Sequence, residues 1–176
     1  MSDSLITIVA IFLAAILMMV FPLMTMSNRV DTTTQTEVEK ITSEFANQIK
    51  TTGKLTQDKY QVFLKDLSDT GNTYDVTLEF KILDENPGKK TLQSVKDKIG
   101  ENYYTSVFTT QIEEVLKDQT QNYTYKLHEG DIISITVKNT NVTLAQKMKN
   151  FFYSIAGNDE YRIITTESGL VTATGK

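Results

Sequence analysis

The chain has 176 residues, with 18 Lys and Arg against 22 Asp and Glu, a net charge of −4 and no cysteine. The missing sulfur excludes a disulfide framework, a thiolate metal site and a cysteine nucleophile. The acidic balance, with Arg29 and Arg162 as the only arginines, argues against a nucleic-acid partner and against forked recognition of phosphate.

The first predicted element is apolar. Leu5–Met26 carries no charge across 22 positions; at about 1.5 Å per residue it makes roughly 33 Å of helix, enough to cross a hydrocarbon core of about 30 Å. Its N-terminal flank, Met-Ser-Asp-Ser, has no Lys or Arg, and the run exceeds the h-region of about 7–15 residues expected of a cleaved signal peptide. The expectation is an uncleaved signal-anchor over residues 1–27. Pro22 predicts a kink, with a hydroxyl such as that of Thr25 placed to compensate for the lost hydrogen bond. Ala10 and Ala14 are four apart, a step on which a second helix packs closely in lipid. With Pro22 they are the candidate packing residues of the span; the alternative is a plain lipid-facing anchor.

Residues 28–72 read as a helical stalk and a second helix. Val38, Ile41, Phe45 and Ile49 recur at helical spacing, and Gly53 is a stop. This stripe packs either on its own domain or on copies of itself in an assembly. Thr56 is a candidate N-cap, with Leu55 and Tyr60 placed as a hydrophobic staple. Tyr60, Phe63, Leu64 and Leu67 form the apolar face of the second helix, and Asp69–Asn72 ends it.

Residues 73–176 read as an α+β head. Tyr74–Ile82 alternates strictly, a strand with one wet face. Asp84–Gly88 is a turn, and the lysine-rich 89–102 an exposed excursion. Tyr104, Phe108, Ile112, Val115 and Leu116 predict a third helix over 104–118. A strand over 123–127 turns at His128–Asp131 into a partner strand over 133–137. Leu144, Met148, Phe151, Phe152 and Ile155 predict a fourth helix, ended by Gly157. Residues 160–166 form a strand, Ser168-Gly169 a tight turn, and 170–174 a short last strand. The order strand, helix, strand, strand, helix, strand is that of the split βαβ, ferredoxin-like arrangement, with an antiparallel sheet covered by helices on one face.

No constellation for chemistry stands out. His128, Glu129 and Asp131 are the sole candidate metal cluster, and a polar hairpin turn explains the same letters. No phosphate loop, dinucleotide fingerprint or nucleophile elbow occurs. The expectation is a protein that is not an enzyme, with no metal, cofactor, nucleic acid or small-molecule substrate.

An apolar N-terminal helix leading through a stalk to a small α+β head resembles the architecture of pilins and pseudopilins. The segments Phe45–Asp75 (FANQIKTTGKLTQDKYQVFLKDLSDTGNTYD) and Glu129–Asn139 (EGDIISITVKN), with Thr143-Leu144-Ala145 and Phe151-Phe152-Tyr153, resemble small membrane proteins of Tad/Flp-type pilus and secretion systems of Gram-positive bacteria. No basic leader precedes the apolar run, which holds no Glu; position 9 is Val9. The resemblance therefore implies an accessory, minor-pilin-like subunit. It also implies a single-pass protein of the cell membrane with its head outside, in contact with the bilayer and with protein partners that include copies of itself. The rival expectation is a membrane-tethered binding or sensing module working through the exposed sheet face.

Overall fold

The computed structural model describes residues 2–83, 104–141, 147, 150 and 163–175. The chain divides into two compact units, Met1–Thr36 with Asn141–Ile163, and Glu37–Thr140 with Ile164–Lys176. The boundary falls within helix α1, Ser2–Thr52. The C-terminal turns of α1 and all of α2 thus belong to the same unit as the sheet.

In the first unit, α1 is long and apolar enough to cross a membrane by length and composition, and its apolar window is unburied. Pro22 lies inside it. Its missing N–H deprives the Met18 carbonyl of a helical donor. The Thr25 hydroxyl donates instead to the Phe21 carbonyl, at 3.0 Å, so the anticipated compensation falls on a neighbouring group. The threonine-rich turns beyond stay helical, with the hydroxyls of Thr32, Thr33 and Thr36 folded back on the carbonyls of Asn28, Arg29 and Thr32.

In the second unit, α1 ends where Gly53 takes φ +62° and donates its N–H to the Ile49 carbonyl at 2.8 Å. Strand β1 (Lys54–Thr56) leads into α2 (Gln57–Asp69), and the Thr56 hydroxyl accepts from the Lys59 N–H at the helix start. Strand β2 (Tyr74–Leu83) follows, then β3 (Tyr104–Phe108), α3 (Thr109–Lys117), a 3₁₀ turn, β4 (Thr124–Lys126), β5 (Ile132–Asn139) and β6 (Ile164–Leu170). The fold is α+β. One antiparallel sheet has the order β3-β2-β5-β6; β1 and β4 make a separate antiparallel ribbon.

The core lies on the inward face of the larger sheet. Leu78 and Phe80 of β2 and Ile133, Ile135 and Val137 of β5 meet Tyr60, Phe63 and Leu67 of α2, Ile112 and Leu116 of α3, and α1. Phe45 stacks on Phe63 with ring centroids 3.9 Å apart.

Three expectations are corrected. Residues 104–108 are a strand paired with Glu79–Leu83, so the third helix begins only at Thr109. There the Thr109 hydroxyl accepts from the Leu78 N–H at 2.8 Å and the Gln111 carboxamide accepts from the Phe108 N–H, tying the helix start to β2. The strand at 124–126 pairs with β1, and β5 takes β2 and β6 as neighbours, so the sheet does not show the split βαβ order. Ser168 and Gly169 lie within β6, opposite Ser134 and Ile133, and form no turn; the residues after Leu170 form a tail without strand pairing. The predicted turn at 84–88, the excursion at 89–102 and the predicted fourth helix, save Lys147 and Asn150, lie outside the described residues.

That tail fastens the unit. The Val171 N–H donates to the Asp131 carbonyl at 2.7 Å, Thr172 N–H to Lys50 at 2.9 Å, and Gly175 N–H to Leu127 at 2.9 Å. Gly53 and Gly175 pass each other backbone to backbone, and a Cβ on either would meet main-chain atoms of the other.

Candidate functional site

Among the described residues no three His, Cys, Asp or Glu side chains gather where they would hold a metal. Asp131 has a structural occupation. Its buried carboxylate accepts the Leu83 N–H and the His128 N–H, each at 2.8 Å, which pins the end of β2 to the turn before β5. Glu129 donates its N–H to the Thr174 hydroxyl. The His128–Asp131 letters thus build a turn held by one carboxylate.

The candidate residues of the span, Ala10, Ala14 and Pro22, are exposed along α1. Ala10 lines a shallow apolar groove with Leu5, Ile6, Val9 and Leu13. The stalk stripe is placed differently. Val38, Phe45 and Ile49 are buried in the core of the second unit, and Ile41 packs against it. The structure also adds Ala46 and Thr42 to this buried surface. Ala46 and Thr42 fill the gaps of the same helical face, but as a small and a polar residue they carry little periodic signal.

Among the described residues, Tyr60, Tyr125 and Asp118 depart from ordinary behaviour. Burial, then the hydrogen bond to Glu113 and its negative charge, push the Tyr60 phenol well above its usual range; the hydroxyl donates to Glu113 Oε1 at 3.0 Å. Burial and the nearby Asp131 raise Tyr125. Hydrogen bonds from the Thr120 hydroxyl and N–H hold the Asp118 carboxyl below its usual range. Tyr60 joins α2 to α3, and Asp118 caps the 3₁₀ turn. Both groups thus sit at joints of the fold.

The outward face of the four-stranded sheet is open. Register places Asp75, Lys138 and Ile164 in one row, and Thr77, Thr136 and Thr166 in the next. Phe108, Glu79, Ser134 and Ser168 follow, then Ser106, Lys81, Ile132 and Leu170. Hydroxyls pair across the strands: Thr136 with Thr166 at 3.0 Å and Ser168 with Ser134 at 2.9 Å. Glu79 accepts from Ser106 at 2.9 Å and lies 3.8 Å from Lys81. The face is polar, close to neutral and open to solvent. Alternation made its β2 and β5 columns readable in the sequence; of the β6 column, Ile164 and Thr166 fell in the strand expected over 160–166, and Ser168 and Leu170 were hidden because Ser168-Gly169 has the composition of a turn. Chemically the face offers hydroxyl donors and acceptors with apolar corners. Compared with known proteins, the chain matches no family, no curated protein and no solved structure.

Proposed function

We propose that the chain is an accessory structural subunit of a membrane-anchored assembly, of the pilus-like or secretion type that its sequence resembles, with its head outside the cell. The observation that supports this most directly is α1. One helix has an N-terminal window apolar and unburied throughout, and C-terminal turns that supply Val38, Phe45, Ala46 and Ile49 to the core of the head. A helix used at both ends suits a subunit whose head is meant to stay with its anchor. The partners in this reading are other protein subunits, copies of this chain and the bilayer.

The test is made on native membranes. The intact chain is expected in the carbonate-resistant pellet with its N-terminus unprocessed by mass. Protease added to wall-free cells is expected to digest the head, and mild crosslinking to capture partner subunits. Digestion only after lysis, or release of a shortened chain into the medium, would overturn the reading.

A further inference from the structure

The open sheet face has the features of a surface made for a copy of itself. Among the described residues outside the apolar span, large exposed hydrophobic residues are few, and Phe108, Ile164 and Leu170 all lie here, at 52%, 49% and 52% exposure. Asp75 and Lys138 stand opposite each other in register, both exposed, and no ion pair joins them. Glu79 and Lys81 already neutralise each other at 3.8 Å. The face therefore presents one unmatched acid and one unmatched base, side by side on its two central strands.

We propose that this face docks on the same face of a second copy, about a two-fold axis that runs parallel to the strands between β2 and β5. Such an axis lays β2 of each copy over β5 of the other at equal height. Asp75 then meets Lys138 of the other copy, and the contact occurs twice. Thr77 comes over Thr136, and Phe108 on one edge comes over Ser168 of the other copy, one row from its Leu170. An axis across the strands that sets Lys138 over Ile132 would set Asp75 over Lys81, a lysine already beside Glu79, and would leave the Lys138 ammonium opposite hydrocarbon. The first axis alone matches both Asp75 and Lys138.

The contact is small. Strands about 4.8 Å apart with a rise of about 3.4 Å per residue give roughly 450 Å² on each copy, against about 800 Å² per partner in stable interfaces. It forms where anchoring confines the copies, because tethering supplies an effective concentration that free heads in solution lack. The inference thus rests on the membrane-assembly reading.

The test uses the full chain in lipid vesicles. The protein has no cysteine, so Asp69→Cys at the exposed end of α2 gives one site for donor and acceptor dyes. Energy transfer between copies reads association, and carbonate-resistant pelleting reads insertion separately. Asp75→Lys alone and Lys138→Asp alone each create two like-charge contacts and are expected to reduce association roughly tenfold. Mixing the two variants restores both contacts, and association is expected to return to the parent level. That rescue also shows that both variants are folded. The inference is overturned if inserted parent chains show no transfer, if neither reversal lowers it, or if the mixture fails to recover. Crosslinking to other proteins in native membranes would then still uphold the assembly reading, whereas failure to insert would bring down that reading itself.

Discussion

Gly53 shows how much one position can carry. Its φ of +62° is one that L side chains rarely adopt, and an added Cβ would run into the Ala173 carbonyl and the Gly175 nitrogen. Strain and collision act together in Gly53→Ala, which is expected to cost at least about 2 kcal/mol, read as a lowered urea midpoint with unchanged slope. Tyr60 gives a prediction in pH. Its phenol is raised above the usual 10.0 by burial and by Glu113, so the folded state keeps a proton that the unfolded state gives up. This contribution is fully present below the unfolded pKa and is lost as pH rises above it toward the folded value. Stability should therefore fall above about pH 10, and Tyr60→Phe should flatten that fall while losing the Glu113 hydrogen bond at neutral pH. Denaturation series between neutral and alkaline pH check both. An equal alkaline slope in the variant would assign the loss to other groups, with Tyr125 the next to test.

At the scale of elements, α1 and α2 are joined by the rings of Phe45, Tyr60 and Phe63. Phe45→Ala removes a ring stacked at 3.9 Å on Phe63, and large-to-small changes of this kind cost about 3–5 kcal/mol. Calorimetry should show that loss, whereas Val62→Ala, on an exposed position of α2, should leave the melting temperature nearly unchanged. The stripe of α1 and the alternation of β2 were legible because each repeats one period over several residues. Strand β3 was not, because Tyr104, Phe108 and Ile112 fit a spacing of four as well as any strand; pairing with Glu79–Leu83, across a long intervening segment, decides it. The partner of β4 was hidden for a related reason. It pairs with Lys54–Thr56 over three residues each, too short for a periodic signal and too distant for turn chemistry. The stripe of Val38, Ile41, Phe45 and Ile49 was visible as a face to be buried; what buries it is a matter of tertiary structure.

On the scale of the molecule, the boundary between the compact units within α1 makes truncation a sharp test. A chain beginning at residue 29 keeps Val38, Phe45, Ala46 and Ile49 and is expected to be soluble with one cooperative unfolding transition. A chain beginning at residue 53 loses those four buried side chains and is expected to unfold without cooperativity or to aggregate. Two soluble, equally cooperative fragments would show that α1 contributes little to the head. The bonding of the tail to α1 has a further consequence, in time rather than in space. Thr172 closes on Lys50 across 122 residues, and at about 5–20 residues per second roughly 6–24 s of synthesis separate the two. For that interval Phe63 of α2, made soon after Phe45, can already cover the apolar face of α1, while the end of the helix at Lys50 waits for the tail that bonds to it. Nascent chains arrested short of Val171 should remain protease-sensitive, which makes the segment after β6 the clasp on which the head closes.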